Sequence, residues 1–223
     1  MSIKENLNLI KTSLPENVTL VAVSKTKPIS DLMEAYHAGQ RIFGENKIQE
    51  MVEKHQKMPK DIKWHMIGHV QRNKVKYMAE FVNLIHGVDN FKLLKEINKQ
   101  AKKHDRVIDC LLQIKIASED SKFGMTFKDA SEIIQSEKFS ELENVRVTGV
   151  MGMATFTNDE SQIENEFNRL KFTFNTLRAL QSNYCKLETI SMGMSGDYKL
   201  AIACGSTMVR VGSSIFGSRN YSN

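Results

Sequence analysis

Short runs of β-branched and apolar residues alternate with amphipathic stretches from near residue 18 to near residue 217, and that alternation restricts the chain to parallel strands joined by crossover helices. The candidate strands are 18–24, 41–44, 63–67, 82–86, 109–116, 145–150, 187–191 and 207–212. They make roughly eight βα units, the number that closes a parallel (β/α)8 barrel. Helical periodicity marks Ile29–Ala38, Lys47–Lys57, Asn73–Glu80, Phe91–His104, Lys128–Ser136 and the long run Glu160–Ser182, and residues 1–12 read as an extra helix at the N-terminus. The rival α/β architecture is a doubly wound open sheet, but no Gly-x-Gly-x-x-Gly follows the first strand. With 223 residues, 41% of them hydrophobic, the chain can bury one sizeable core. Proline is scarce and no linker or low-complexity segment interrupts the alternation, so residues 1–223 are expected to form a single domain.

Composition removes several classes of function. The formal charge of +5 raises nucleic acid as a partner, yet Lys92, Lys95, Lys99, Lys102 and Lys103 recur at helical spacing, as one solvated face would. No aromatic residues interleave with them and no zinc-finger or RNP-type motif occurs, so nucleic acid is not expected. Residues Met1–Asn6 contain no apolar leader core and no later run approaches a membrane span, which predicts a soluble, cytoplasmic protein with no membrane partner. Cys110, Cys185 and Cys204 are odd in number, lack Cys-x-x-Cys spacing and read as buried thiols. His65 and His69 stand four apart, but on a strand end and loop, without the glutamate of His-Glu-x-x-His, so no metal is expected. Met151, Met153, Met192 and Met194 read as core filling near strand ends.

Chemistry concentrates where the strands end. Lys25 closes the run Val18–Ser24, just before the breaker Lys27-Pro28. At the carboxyl end of a barrel strand, beside Lys27 and Arg210, its ammonium form would be disfavoured, and a neutral amine can form a Schiff base with an aldehyde. Taken alone, Lys25 reads more readily as a solvated lysine flanking a strand. The seventh strand is followed by Gly193-Met194-Ser195-Gly196-Asp197 and the eighth by Gly212-Ser213-Ser214. Small residues after those two strands suit a phosphate, because backbone N–H groups can approach its oxygens and hydroxyls add donors.

Val21–Pro28, Phe43-Gly44-Glu45-Asn46, Trp64–Lys74, Ser191–Ser195 and Gly205–Gly212 together resemble the pyridoxal 5′-phosphate homeostasis protein family, across nearly the whole chain and in the family's order. The family is related to the barrel domain of alanine racemase, so the resemblance implies a TIM-like barrel holding pyridoxal 5′-phosphate covalently. It implies that Lys25 is the Schiff-base lysine, that Arg210 faces the pyridine nitrogen, that Ser195, Gly212 and Ser213 contact the phosphate, and that Asn46 neighbours the ring. It further implies a cytoplasmic monomer, without a catalytic residue of its own, that buffers the cofactor and delivers it to apo-enzymes dependent on it. Two positions depart from the family pattern: Lys47 stands where a tyrosine is usual, and Gly149–Met153 replaces a Gly-Leu-Met core.

The rival function is an amino-acid racemase. An arginine at the pyridine nitrogen donates a hydrogen bond and leaves that nitrogen unprotonated, which weakens the ring as an electron sink. Both a racemase and a holder of the cofactor tolerate that. A racemase also requires a second acid/base opposite the lysine, which alanine racemases take from an additional β domain that a chain ending at Asn223 is not expected to contain. Tyr36, Tyr77 and Tyr184 read as packing residues, and Tyr198 and Tyr221 match no catalytic motif.

Overall fold

The computed structural model of the chain describes residues 1–118, 123–180 and 184–217. Eight strands, β1 (Thr19–Val23), β2 (Ile42–Glu45), β3 (Lys63–Met66), β4 (Val82–Val88), β5 (Ile108–Gln113), β6 (Val145–Met151), β7 (Cys185–Ser191) and β8 (Met208–Val211), follow one another around a closed barrel. Each pairs in parallel with the next, and β8 returns to β1 through Thr19↔Met208, Leu20↔Val209, Val21↔Arg210 and Ala22↔Val211. Arg210 is thereby placed on the strand next to that of Lys25.

The connections are helical: α2 (Ile29–His37), α3 (Ile48–Lys57), α4 (Phe91–Lys102), α5 (Phe127–Gln135), α6 (Glu137–Ser140), α7 (Glu160–Arg178), α8 (Tyr198–Ala203) and α9 (Ser213–Phe216). The extra N-terminal helix α1 (Ile3–Ser13) starts on a capping box in which Ser2 and Glu5 satisfy each other's backbone donors. Asn6 of α1 donates to the Ile215 carbonyl in α9, tying the first helix to the last. The lysines of α4 lie exposed on one face while Leu93, Leu94, Ile97 and Ala101 are buried on the other.

Two expectations need correction. Residues Arg72–Tyr77 form a 3₁₀ segment instead of an α-helix over Asn73–Glu80. Gln71 supplies no side-chain cap and Arg72, Lys74 and Lys76 crowd like charges into the segment, so little favours a longer helix. The fifth strand stops at Gln113 instead of residue 116: Ile114 still donates its N–H to the Met151 carbonyl of β6 at 2.8 Å, but beyond that it pairs only in an isolated bridge with Met125. The end of the long helical run, at Ser182, lies outside the described residues.

Apolar residues form two layers. The larger lies between strands and helices and contains Phe43, Trp64, Phe139 and Phe167; the smaller fills the barrel with Val21, Leu84, Leu111, Met151 and Met208. Strand alternation separates them, since successive side chains face opposite sides of the sheet. All three cysteines are buried free thiols, and Met151 and Met192 are buried as expected. No helix among the described residues is long and apolar enough to cross a membrane.

Gly149 marks the tightest crossing, where a Cβ would overlap the carbonyl oxygen of Thr189 on the adjoining strand. Gly149→Ala is expected to cost at least about 3 kcal/mol. Gly196→Ala, with open space around the new methyl, should stay within about 0.5 kcal/mol of the parent. Urea unfolding of the two variants checks the contrast; equal stabilities would mean that β6 and β7 are not so closely apposed.

Candidate functional site

Lys25 continues the inward face of β1. Val21 belongs to the barrel interior, and Ser24 is still in the ladder, donating its N–H to the Gly44 carbonyl at 3.0 Å. Alternation therefore puts Val21, Val23 and Lys25 on the inside and Ser24 on the outside. Lys25 is half-buried at the C-terminal mouth.

The backbone around it is clamped from outside the barrel. Ser24 Oγ donates to Glu45 Oε1 at 2.6 Å, and Lys54 Nζ donates to the Ser24 carbonyl at 2.8 Å, to Glu45 Oε1 at 2.8 Å and to Glu50 Oε1 at 2.7 Å. Glu50 Oε1 also accepts from the Thr26 N–H at 2.6 Å. Thr26 sits at φ +63°, a backbone conformation that side chains other than glycine rarely adopt. Residues 24 and 26 are thus both pinned, and Lys25 between them is aimed. Burial pushes the Glu45 carboxyl above its usual range against the pull of the Lys54 ammonium.

On the adjoining strand β8, Arg210 is 4% exposed. Its Nη1 donates to Ser191 O at 2.8 Å and Ser191 Oγ at 2.6 Å, and its Nη2 donates to Gly152 O at 3.0 Å. Three of the five guanidinium hydrogens are so used. Nε–H and the second Nη2–H have no acceptor among the described residues. Burial draws Arg210 down to about 10, with Asp197 opposing, so it remains a cation at neutral pH. Behind it, His86 Nδ1 lies 3.1 Å from Ser191 Oγ, and His86 Nε2 lies 3.1 Å from His65 Nδ1.

The remaining expected site residues gather at the same mouth. Ser195 Oγ accepts from the Gly212 N–H at 3.1 Å, which brings the loops after β7 and β8 together. The N–H groups of Ser213 and Ser214, adjoining this contact, have no acceptor among the described residues. Asn46 follows β2 directly and touches the β3 end, where a Cβ at Gly68 would overlap the Asn46 carbonyl oxygen. Lys27 lies farther out, with Nζ bonded to the Phe216 carbonyl at 2.8 Å.

Other candidates separate from the site. His65 is inside the barrel, whereas His69 is exposed, stacked on Phe123 and paired with Asp89; among the described residues no metal-ligating cluster forms. Tyr36 bonds Asp61 and carries the Arg41 guanidinium over its ring on the outer surface. Tyr77 is 54% exposed instead of packed. Tyr221 lies outside the described residues.

Sequence reasoning missed His86 and the Glu45–Lys54–Glu50 clamp. His86 shares the inward parity of Leu84, which would have drawn attention to it. The clamp left its trace in a charged residue ending an apolar strand and in the i,i+4 spacing of Glu50 and Lys54.

Residues 1–220 match the family model described as the alanine racemase N-terminal domain. The chain is 41% identical over 214 residues to a pyridoxal phosphate homeostasis protein of Vibrio alginolyticus, covering 93% of this chain and 89% of the relative. It is 39% identical over 236 residues to the protein of the same description from Haemophilus influenzae, covering 100% and 98%. Among solved structures, PipY of Synechococcus elongatus with pyridoxal phosphate bound matches with a TM-score of 0.88 and 33% identity, over 97% of this chain and 100% of that one. Alanine racemase of Clostridium difficile matches with a TM-score of 0.80 at 17% identity, over 99% of this chain and 61% of that one, a likeness of fold alone.

Two outcomes follow from the geometry. Lys54→Met leaves the Glu45 carboxylate buried without its cation and is expected to cost about 3–5 kcal/mol; a loss below about 1 kcal/mol in urea unfolding would remove the clamp from the account. Burial holds His65 down to about 3, well below its ordinary value of 6.5, so the folded state binds fewer protons there than the unfolded state. Its contribution is complete above about pH 6.5 and is lost as pH falls toward about 3. The urea midpoint should already be lower at pH 5 than at pH 7, and an unchanged midpoint would mean that His65 titrates normally.

Proposed function

Because the chain belongs to the alanine racemase N-terminal domain family, and within it to the pyridoxal phosphate homeostasis proteins, we propose that it holds pyridoxal 5′-phosphate in the barrel mouth and serves in intracellular supply of that cofactor. The observation that carries the reading is Arg210: a buried cation bonded to Ser191 and Gly152 at the C-terminal ends of β7 and β6, on the strand adjoining that of Lys25, with two N–H groups left over. Those donors suit an aromatic ring nitrogen. The spare N–H groups of Ser213 and Ser214, with the Ser195 hydroxyl that the Gly212 N–H holds in place, suit a phosphate.

Each residue then has a distinct task. Lys25 supplies the amine that anchors the cofactor covalently, and the clamp on residues 24 and 26 fixes where that amine points. Ser195, Gly212 and Ser213 receive the phosphate, and Asn46 borders the ring. The bound cofactor supplies an aldehyde carbon and a conjugated ring able to withdraw electrons. Arg210 limits the second property, since a guanidinium keeps its own protons and does not protonate the ring nitrogen. No residue is assigned to catalysis. We read residues 1–223 as one cofactor-holding domain, monomeric and cytoplasmic, that passes its ligand to apo-enzymes requiring it.

Borohydride treatment of the loaded protein should fix one chromophore, which peptide mapping finds on Lys25 and which Lys25→Ala abolishes. A label on Lys27 or Lys74 would overturn the anchor. Pyridoxal lacking the phosphate should bind far more weakly, because several charge-assisted hydrogen bonds worth about 1.5–3 kcal/mol each are lost; comparable affinities would rule out the phosphate cradle. Incubation with L- or D-alanine in deuterium oxide should give negligible racemisation, while turnover at about 1–1000 per second would make the protein a racemase.

A further inference from the structure

The interior of the barrel contains a line of polar groups that the anchoring of a cofactor does not by itself require. Arg210, Ser191, His86 and His65 belong to four different strands, β8, β7, β4 and β3, and touch in sequence at 2.6, 3.1 and 3.1 Å. His86 is fully buried and His65 is 5% exposed. Buried imidazoles beside a cation are neutral, and burial holds both rings well down, with Arg210 adding to the effect on His86.

The direction of every hydrogen bond in this line can be deduced from one end. A guanidinium has only donors, so Ser191 Oγ accepts from Arg210. A hydroxyl oxygen can accept twice, but a buried O–H without an acceptor is costly, and among the described residues His86 Nδ1 is the other side-chain polar atom within hydrogen-bond distance of Oγ. His86 Nδ1 is therefore an acceptor, and a neutral His86 carries its hydrogen on Nε2. That hydrogen points at His65 Nδ1, which must also accept, leaving the hydrogen of His65 on its own Nε2. Among the described residues no hydrogen bond reaches that Nε2. His65 lines a 530 Å³ cavity at the opposite, N-terminal mouth of the barrel, together with Lys63, Asn83, Asp109 and Arg146. The cations of that cavity are largely paired, Arg146 with Asp109 at 2.7 Å and Lys186 with Glu188 at 2.9 Å, so the spare N–H of His65 meets a polar space without strong net charge.

We propose that Ser191, His86 and His65 are positioning residues: a one-way hydrogen-bond chain, Arg210→Ser191→His86→His65, that crosses the barrel and fixes the Arg210 guanidinium with its two spare N–H groups turned to the cofactor mouth. The inference rests on the proposed function for the identity of what those N–H groups meet. The direction of the chain does not. Ser191 holds Nη1 through two acceptors at once, its carbonyl and its hydroxyl, and His86 keeps the hydroxyl oriented so that a lone pair stays toward Arg210. Rotation of the guanidinium would break both contacts and turn Nε–H away from the mouth. A ring nitrogen held by a fixed donor keeps one electronic state, so the chain would set how the bound ring absorbs light as well as how tightly it is held.

The test begins with the protein free of cofactor. Side-chain ¹⁵N NMR should show His65 and His86 both neutral with the hydrogen on Nε2. Ser191→Ala should move the Nδ1 resonance of His86 and also that of His65, one link beyond it; a purely local packing role for Ser191 would leave His65 unmoved. In the loaded protein Ser191→Ala should raise the Kd for pyridoxal 5′-phosphate about ten-fold, the loss of one hydrogen bond to a charged group, and shift the absorption band of the bound ring. Ser191→Thr, which keeps a hydroxyl, should restore both. If Ser191→Ala does not fold, His86→Leu provides the same test at the next link, since it removes the acceptor of the Ser191 hydroxyl and should likewise raise the Kd and shift the band. An Nδ1–H tautomer on either ring, or wild-type affinity and spectrum in Ser191→Ala, would overturn the proposal. Failure of the wild-type chain to take up pyridoxal 5′-phosphate would instead overturn the proposed function, and the tautomers of the two histidines would still decide the chain.

Discussion

A guanidinium charge inside a closed barrel is the constraint around which the rest of this structure is arranged. Removing such a group from water costs several kcal/mol even after relaxation, and a stabilising arrangement would recover that with a carboxylate in contact. Arg210 has no ion pair among the described residues; it has carbonyls, one hydroxyl and the more distant field of Asp197. Its neighbours in the interior must accept hydrogen bonds and remain uncharged. Serine and neutral histidine meet that condition, and so a barrel otherwise filled by Val21, Leu84, Leu111, Met151 and Met208 carries a polar seam on one side. In the proposed function the two unused N–H groups would turn the cost of burial into selectivity for a ligand that brings an uncharged acceptor.

On the outer side of β1 the logic is reversed. Glu45, Lys54 and Glu50 form a charged cluster packed between the barrel and α3, and the charges there are matched by contact. Glu45 keeps a second oxygen buried without a partner, so the cluster contributes geometry at some expense in stability. What it secures is the turn at Ser24–Thr26. A lysine on an unsupported strand end would sample many positions, and covalent capture of an aldehyde depends on its being held within a few tenths of an ångström of the right place.

The architecture was legible in the sequence because its signal is repeated. Alternation of short apolar strands and amphipathic helices recurs around the barrel, and most expected strand ends fall within one or two residues of those observed. The exceptions have local causes. α6, α8 and α9 span only four to six residues, too few for helical periodicity to register, and Arg72–Tyr77 lacks both a cap and a continuous apolar face. That Lys25, Asn46, Ser195, Arg210, Gly212 and Ser213 lie in or just after the strands at one end of the barrel was legible from strand-end position, while the roles that the family motifs imply for them belong to the proposed function. His86 and Ser191 meet across 105 residues of sequence, and Lys54 reaches Ser24 across 30. Such contacts exist only once eight strands have closed, and no local pattern encodes them. Parity could have flagged His86 as an inward polar residue but not what it would touch.

The two networks also explain why a barrel shared in fold with alanine racemase can serve storage. Holding a reactive aldehyde safely calls for a strong grip on the parts that do not react and a weak pull on the electrons of the part that does. In the proposed function the phosphate cradle and the anchored lysine would meet the first demand. Arg210, in the proposed function, would meet the second, provided its protons stay where they are, and a positively charged histidine next to it would threaten that arrangement by repelling or reorienting the guanidinium. Burial of His65 and His86 prevents this across the physiological range, since His65 is held down to about 3 and His86 well below its ordinary value. In the proposed function the polar seam would therefore protect the donor-only character of the ring contact from ordinary changes in pH, which a carrier meeting its ligand under varied conditions would need more than an enzyme tuned to one optimum.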